Sequence, residues 1–178
     1  MRSTPLLVQA IKSMKKQLVH EIELYPFETF ETLLAHEVNR SRRFGTPLTL
    51  MHLAVETNSS GSDDIQHAAE VFAINALNVH LRELDIPCKK GNEFLVLMPS
   101  TDQQGGRTVC TRLEKLFLTE AQIYDKVSFK LLVYLGMATL PGDRSLTSKK
   151  LMDNASQALN HARKNQLENN TVLFSEIE

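Results

Sequence analysis

Residue types that carry chemistry are thinly spread along this sequence. The six histidines are scattered, and none belongs to a His-x-His or HExxH arrangement. Such arrangements bring two imidazoles to one metal ion, so a zinc site is not expected. The two cysteines, Cys88 and Cys110, favour reduced thiols and a cytoplasmic location over the alternative of a disulfide between them. His52, in an apolar run, is interpreted as a packed histidine and not as a base.

Two neighbouring motifs in the middle of the chain are more informative. Gly91-Asn92, within KKGNEFLVLMPSTD, predicts a tight hairpin turn, because glycine tolerates the positive φ of the first turn position. Arg82 and Asp85, spaced Arg-x-x-Asp, lie shortly before it. A guanidinium can fork onto a guanine edge or a phosphate, and a carboxylate can accept from guanine N–H groups. The ordinary alternative is a pair of exposed charges at the end of a helix.

Length and composition exclude several classes of protein. The chain has 178 residues, 42% of them hydrophobic, which suffices for one domain with a core. A formal net charge of -1 argues against a nucleic-acid-binding surface. The basic run over residues 39–43 is interpreted as a solvated helix face. No apolar run is long enough for membrane insertion, and no signal peptide is recognised at the N-terminus.

The elements that must position these residues follow from hydrophobic periodicity. Strands and helices alternate, which predicts an α/β protein with one mixed sheet. Residues 1–24 form an N-terminal helix or signalling linker, packed on its own domain or used for dimerisation. The predicted helices cover 27–44, 65–84, 108–118 and 146–165, and the predicted strands cover 48–56, 86–89, 93–98, 127–138 and 171–174.

Several stretches in this order resemble the GGDEF domain, the diguanylate cyclase fold. They are RRFGTPLTL (42–50), GNEFLVLMPSTD (91–102), LGMATLP (135–141), LMDNASQALNHARKN (151–165) and NTVLF (170–174). Proteins of that family make cyclic di-GMP from two GTP molecules. The resemblance implies one domain over residues 25–178. Its fold would be a three-layer α/β sandwich of the nucleotidyl cyclase or ferredoxin-like type, with a mixed central sheet of about five strands.

The signature of that family is altered here. It reads KGNEF over residues 90–94, so Lys90 replaces the first glycine and Asn92 replaces the acidic third residue. Glu93, a metal ligand in the family, is retained, whereas Ala54 stands where the first strand carries a metal-binding aspartate. Phosphoryl transfer of this kind normally needs divalent metals held by acidic side chains. The resemblance therefore implies a vestigial site, no catalysis and no cofactor.

One alternative keeps the enzyme active. If the first strand is shifted by two residues, Glu56 takes the metal position and joins Glu93, giving two carboxylates for Mg²⁺. The chain would then be an active or weakly active diguanylate cyclase. The loop after this strand, TNSSGSDD at 57–64, still lacks the phosphate-binding lysine of the family.

The resemblance also assigns a role to the Arg-x-x-Asp motif. In the family this motif, just upstream of the signature, forms an inhibitory site that binds cyclic di-GMP, so Arg82 and Asp85 are the predicted ligand-binding residues. Together the features predict a catalytically inactive signalling domain that acts as a cyclic di-GMP receptor or a protein-interaction module. Its partner would be cyclic di-GMP, another protein or a second copy, and a structural dimerisation module without nucleotide is the remaining alternative.

Overall fold

The structure, a computed structural model, describes residues 24–57, 63–119, 122–124, 127–141, 147–168 and 170–177. The predicted N-terminal helix over residues 6–22 lies outside these ranges. In chain order the elements are α1 (Phe27–Phe44), β1 (Leu48–Thr57), α2 (Asp63–His80), β2 (Ile86–Lys90), β3 (Glu93–Pro99), α3 (Gln103–Thr119), β4 (Gln122–Tyr124), β5 (Val127–Phe129), β6 (Leu131–Leu140), α4 (Ser148–Lys164), β7 (Thr171–Leu173) and a 3₁₀ turn (Phe174–Glu176).

Five strands form one mixed sheet in the order β2-β3-β1-β6-β7. Only the β6–β7 pair is parallel, and the short strands β4 and β5 form a separate hairpin. The predicted α/β fold with a mixed five-stranded sheet is therefore confirmed. None of the described helices combines the length and apolar character that a membrane span requires.

Two helices cover each face of the sheet, because side chains alternate between the faces along each strand. On one face, α2 and α3 pack on Met51, Leu53, Phe94 and neighbouring residues. On the other face, α1 and α4 cover two clusters that include Leu50 and Ala54. Cys110 belongs to the first face and Cys88 to the second, and both are free and buried. The sheet separates the two thiols, so the alternative of a disulfide is wrong.

Several element boundaries differ from the prediction because side chains cap the backbone. Helix α3 begins at Gln103 and not at 108, since Asp102 Oδ1 accepts a hydrogen bond of 2.7 Å from the Gly105 N–H. The predicted strand over 127–138 is divided between β5 and β6, and β6 continues to Leu140. Gly45 closes α1 in the left-handed conformation, with φ +66°, as its position after the helix predicts.

Both edges of the sheet are protected. On β7, the N–H of Thr171 donates to Glu114 over 2.6 Å and that of Leu173 donates to Glu176 over 3.3 Å. On β2, Tyr25 lies alongside and donates from its N–H to the carbonyl of Pro87 over 3.0 Å. Occupied edge groups discourage pairing with a foreign strand.

Candidate functional site

The predicted hairpin turn is present. Lys90 and Glu93 face each other at its base, and Gly91 has φ +60°, a value that glycine adopts without strain. Asn92 is exposed at the tip. The Lys90 ammonium lies 4.5 Å from the centre of the Phe27 ring, a cation–π contact with the first residue of α1. The side chain that replaces the first glycine of the signature thus ties the hairpin to α1.

The strand register decides which side chain faces Glu93. Ala54 on β1 pairs with Glu93 on β3, and Ala54 is completely buried. Glu56 lies two residues further along β1, on the same face, paired with Leu132 of β6. The side chain opposite Glu93 therefore offers no oxygen, and Glu56 approaches from the adjacent position.

A residue that was not singled out from the sequence joins the two carboxylates. Arg163, in the last turn of α4, contacts Glu93 Oε1 through Nη1 and Glu56 Oε1 through Nε, the second at 3.2 Å. The side chains of Arg163 and Glu93 are 34% and 26% exposed, so their contact is partly shielded from water. The two acidic groups that could have held a metal ion converge on a guanidinium.

The remaining oxygen of Glu93 lies beside His52. Nε2 of His52 is 2.7 Å from Glu93 Oε2. The other ring nitrogen, Nδ1, is 3.1 Å from Ser156 Oγ on α4. Burial lowers the pKa of His52 and outweighs the raising effect of Glu93, so the imidazole is neutral near pH 7. His52 is a packed histidine, as the sequence predicts, and Arg163 supplies the positive charge.

This arrangement does not fit magnesium. Mg²⁺ requires octahedral oxygen ligands and is usually held by carboxylates together with phosphate oxygens. Here one candidate position is Ala54, and both Glu56 and Glu93 are already paired with Arg163. Among the described residues, no group of three or more His, Cys, Asp or Glu side chains could hold a metal ion.

The Arg-x-x-Asp motif forms the turn between α2 and β2. Asp85 Oδ2 accepts a hydrogen bond of 2.8 Å from the backbone N–H of Arg82, and the Asp85 N–H donates to the Arg82 carbonyl over 3.0 Å. Asp85 is only 7% exposed, and burial raises the pKa of its carboxyl despite the nearby Arg82 and Arg112. The turn ends the helix at His80, short of the predicted residue 84. Asp85 stabilises the turn, while Arg82 is exposed.

A second arginine, also absent from the sequence prediction, lies beside this turn. Arg112 on α3 donates from Nη2 to the carbonyl of His80 over 2.9 Å, and its charge acts on Asp85. Its exposed position on an amphipathic helix carries no local signal of a site. A groove of about 680 Å³ follows this helix and is lined by Gln103, Gln104, Arg107, Thr108, Thr111, Arg112, Lys115 and Leu173. The charges of Arg82 and Arg112 both act on Asp85, so two guanidinium groups lie at the same turn.

The fold defines the class of the protein. A mixed five-stranded sheet with four helices, and a tight hairpin beside its first strand, is the architecture of the GGDEF diguanylate cyclase fold. The chain belongs to the diguanylate cyclase, GGDEF domain family, whose model matches residues 24–169. No curated protein sequence matches the chain.

Solved structures have the same fold. The GGDEF domain of DgcB from Caulobacter crescentus in complex with c-di-GMP is similar with a TM-score of 0.74 at 16% identity, over 85% of this chain and 92% of that one. Diguanylate cyclase SiaD in complex with its activator SiaC, from Pseudomonas aeruginosa, is similar with a TM-score of 0.73 at 22% identity, over 94% of this chain and 68% of that one. At these identities the likeness shows the fold.

Proposed function

We propose that this chain is a catalytically inactive GGDEF domain that works as a signalling module. The observation that carries the proposal is the Arg163 guanidinium, which contacts both Glu56 and Glu93. A cyclase site of this family needs divalent cations at these carboxylates to bind GTP phosphates and stabilise the developing charge. The Arg163 guanidinium already occupies one oxygen of each carboxylate, and its single charge does not replace the divalent cation that would bridge the carboxylates to GTP phosphates.

Two further features support the absence of catalysis. Ala54 removes the ligand that would complete a metal site on β1, and it is buried among apolar side chains of α4 and β6. Lys90, at the position of the first signature glycine, lies across the Phe27 ring and links the hairpin to α1. A bulky side chain there hinders the close approach of a nucleotide to the turn backbone.

The first test is turnover of GTP. The full chain with GTP and either Mg²⁺ or Mn²⁺ is expected to form no cyclic di-GMP or pyrophosphate above the blank, because no metal can be held at Glu93. An active GGDEF domain is assayed in parallel to show that the conditions support the reaction. Product formation that disappears in Glu93→Gln would establish the alternative, a cyclase that uses Glu56 and Glu93, and would refute the inactive domain.

The function that remains for such a domain is recognition, and the turn at Arg82 favours cyclic di-GMP as the ligand. Arg82 is exposed and Arg112 lies beside the same turn, so two guanidinium groups can meet a phosphate or a guanine edge. One relative, the DgcB domain, has been solved with c-di-GMP, and SiaD has been solved with an activator protein. We assign the receptor role to Arg82 and Arg112, with Asp85 holding the turn.

The second test is calorimetry with cyclic di-GMP. Binding to the wild-type chain is expected to weaken by about 10- to 100-fold in Arg82→Ala and likewise in Arg112→Ala, because each removes a charge-assisted hydrogen bond worth roughly 1.5–3 kcal/mol. Arg43→Ala, an exposed arginine at the end of α1, is the matched control and should bind as the wild type does.

Three outcomes of this titration separate the proposed roles. Binding that Arg82→Ala leaves unchanged would contradict the assignment of the ligand site to this turn. Absence of binding by cyclic di-GMP and GTP alike would leave the protein-interaction role, in which the partner is another protein or a second copy recruited through residues 1–24. A stable dimer that binds no nucleotide, seen by analytical ultracentrifugation, would support the structural module.

A further inference from the structure

The end of the sheet opposite the hairpin turn brings together segments that are distant in sequence. Helix α1 ends at Phe44, and β1 begins at Leu48 after the Gly45 cap. Leu48 pairs with Pro99 at the end of β3 and with Leu140 at the end of β6. Leu151 in the first turns of α4 packs in the same cluster as Leu48 and Leu140. The C-terminus of α1 and the N-terminus of α4 therefore share this end of the molecule.

An exposed aromatic ring with an arginine over it lies at the C-terminus of α1 here. Phe44 is 65% exposed, and the Arg43 guanidinium carbon lies 5.3 Å from the centre of its ring. Arg40, one turn earlier, forms an ion pair of 2.8 Å with Glu37. Arg42 and Arg43 are exposed, and within the described part of the chain neither forms an ion pair. They contribute two exposed positive charges close to an unburied apolar ring.

The first turn of α4 adds two more positive charges at this end of the molecule, although a helix N-terminus favours negative charge. It contains Lys149 and Lys150, both exposed, and no acidic residue. Cations at a helix N-terminus are unfavourable because the macrodipole is positive there. The acidic residue of α4, Asp153, follows in the next turn and is also exposed. Two successive lysines in this turn therefore go against the preference of a helix N-terminus for negative charge. A departure of this kind without a gain in folding stability indicates a functional role for the lysines.

We propose that this basic-aromatic end, formed by Arg42, Arg43, Phe44, Lys149 and Lys150, docks on an anionic phospholipid bilayer. The four cations contact headgroup phosphates, and the Phe44 ring enters the interface between the headgroups and the acyl chains. Docking requires no concave surface, since a bilayer accepts dispersed charge and one apolar anchor. The degenerate cyclase site at the hairpin lies at the other end of the sheet and stays clear of the membrane.

A vesicle sedimentation assay tests the proposal with the full chain. The protein is expected to pellet with vesicles of phosphatidylcholine and phosphatidylglycerol at low salt, to remain in solution with phosphatidylcholine alone, and to be released by high salt. Arg43→Glu is expected to weaken partitioning by at least about tenfold, because each basic residue near the surface is worth roughly fivefold. Phe44→Ser is expected to weaken it by about tenfold through the loss of apolar burial.

Lys164→Glu is the matched control, because it makes the same change of net charge at an exposed position near the C-terminus of α4. It should partition as the wild type does. Far-UV circular dichroism verifies that each variant is folded. Equal partitioning to both lipid compositions, no partitioning to either, or an equal loss in Lys164→Glu and Arg43→Glu would overturn the proposal; the second result would point to an acidic protein as the partner of this surface.

Discussion

Replacing Arg163 with methionine is expected to lower the free energy of unfolding by about 2 kcal/mol. The substitution keeps the length and apolar stem of the side chain but leaves Glu56 and Glu93 without their cation. Breaking a fully buried ion pair typically costs about 3–5 kcal/mol, and an exposed pair contributes less than about 1 kcal/mol. Since about a third of the Arg163 side chain is exposed, the expected value lies between these limits.

Urea unfolding followed by far-UV circular dichroism measures this loss, because the chain contains no tryptophan to serve as a fluorescent probe. Lys164→Met, the next residue on α4, removes the same charge from an exposed position and should change stability by less than about 0.5 kcal/mol. Arg163→Met combined with Glu93→Gln should recover much of the loss, because the less exposed of the two unpaired carboxylates is then removed and Glu56 remains partly solvated. Simple additivity of the two substitutions would show that the residues do not act as a pair.

Introducing a single methyl group at Gly136 is expected to destabilise the protein by about 3 kcal/mol. Gly136 lies on β6 where α4 crosses the sheet, and an added Cβ would be 2.2 Å from the Leu159 nitrogen and 2.5 Å from the Ala155 carbonyl oxygen. Both atoms belong to the helix backbone, which cannot rotate away as a side chain can. Gly136→Ala must therefore displace α4, and overpacking of this kind costs about 1–3 kcal/mol or more.

Gly105→Ala is the control for this prediction. Its added Cβ would meet only side-chain atoms, Thr101 Cγ2 at 3.1 Å and Asp102 Oδ1 at 3.2 Å. Alanine also favours a helix over glycine by roughly 1 kcal/mol, so the net change should stay within about 1 kcal/mol. If Gly136→Ala proves as stable as Gly105→Ala in the same urea titration, α4 does not pack against β6 as closely as described.

The two predictions concern one contact between α4 and the sheet. Gly136 allows the helix to approach β6 closely, and Gly136 pairs with His52 of β1. Ser156 on the helix contacts His52, and Arg163 in its last turn reaches Glu93. The ion-paired carboxylates thus depend on helix packing, which implies that α4 holds Glu56 and Glu93 in place.

Features that depend on local chemistry were predictable from the sequence. The bounds of α1 follow from its periodicity and from Gly45, which adopts the left-handed conformation at its end. The hairpin follows from Gly91-Asn92, because a two-residue turn needs positive φ at its first position. The alternation of strands and helices is enough to indicate a mixed α/β sheet. Side-chain caps such as Asp102 on α3 were overlooked, and glycines in the first turn concealed where that helix begins.

The pairing of the two carboxylates of the site with a cation was decided by the tertiary structure. The sequence by itself determined that Glu56 and Glu93 are present, and its resemblance to the family predicted that Ala54 stands where an acidic ligand is usual. Only the fold brings Arg163 to these carboxylates, through contacts between residues 70 and 107 positions apart. The same holds for His52 with Ser156 and for Arg112 beside the Arg82 turn. Local periodicity describes one element at a time, whereas the charge balance of a cleft depends on which helix end meets which strand.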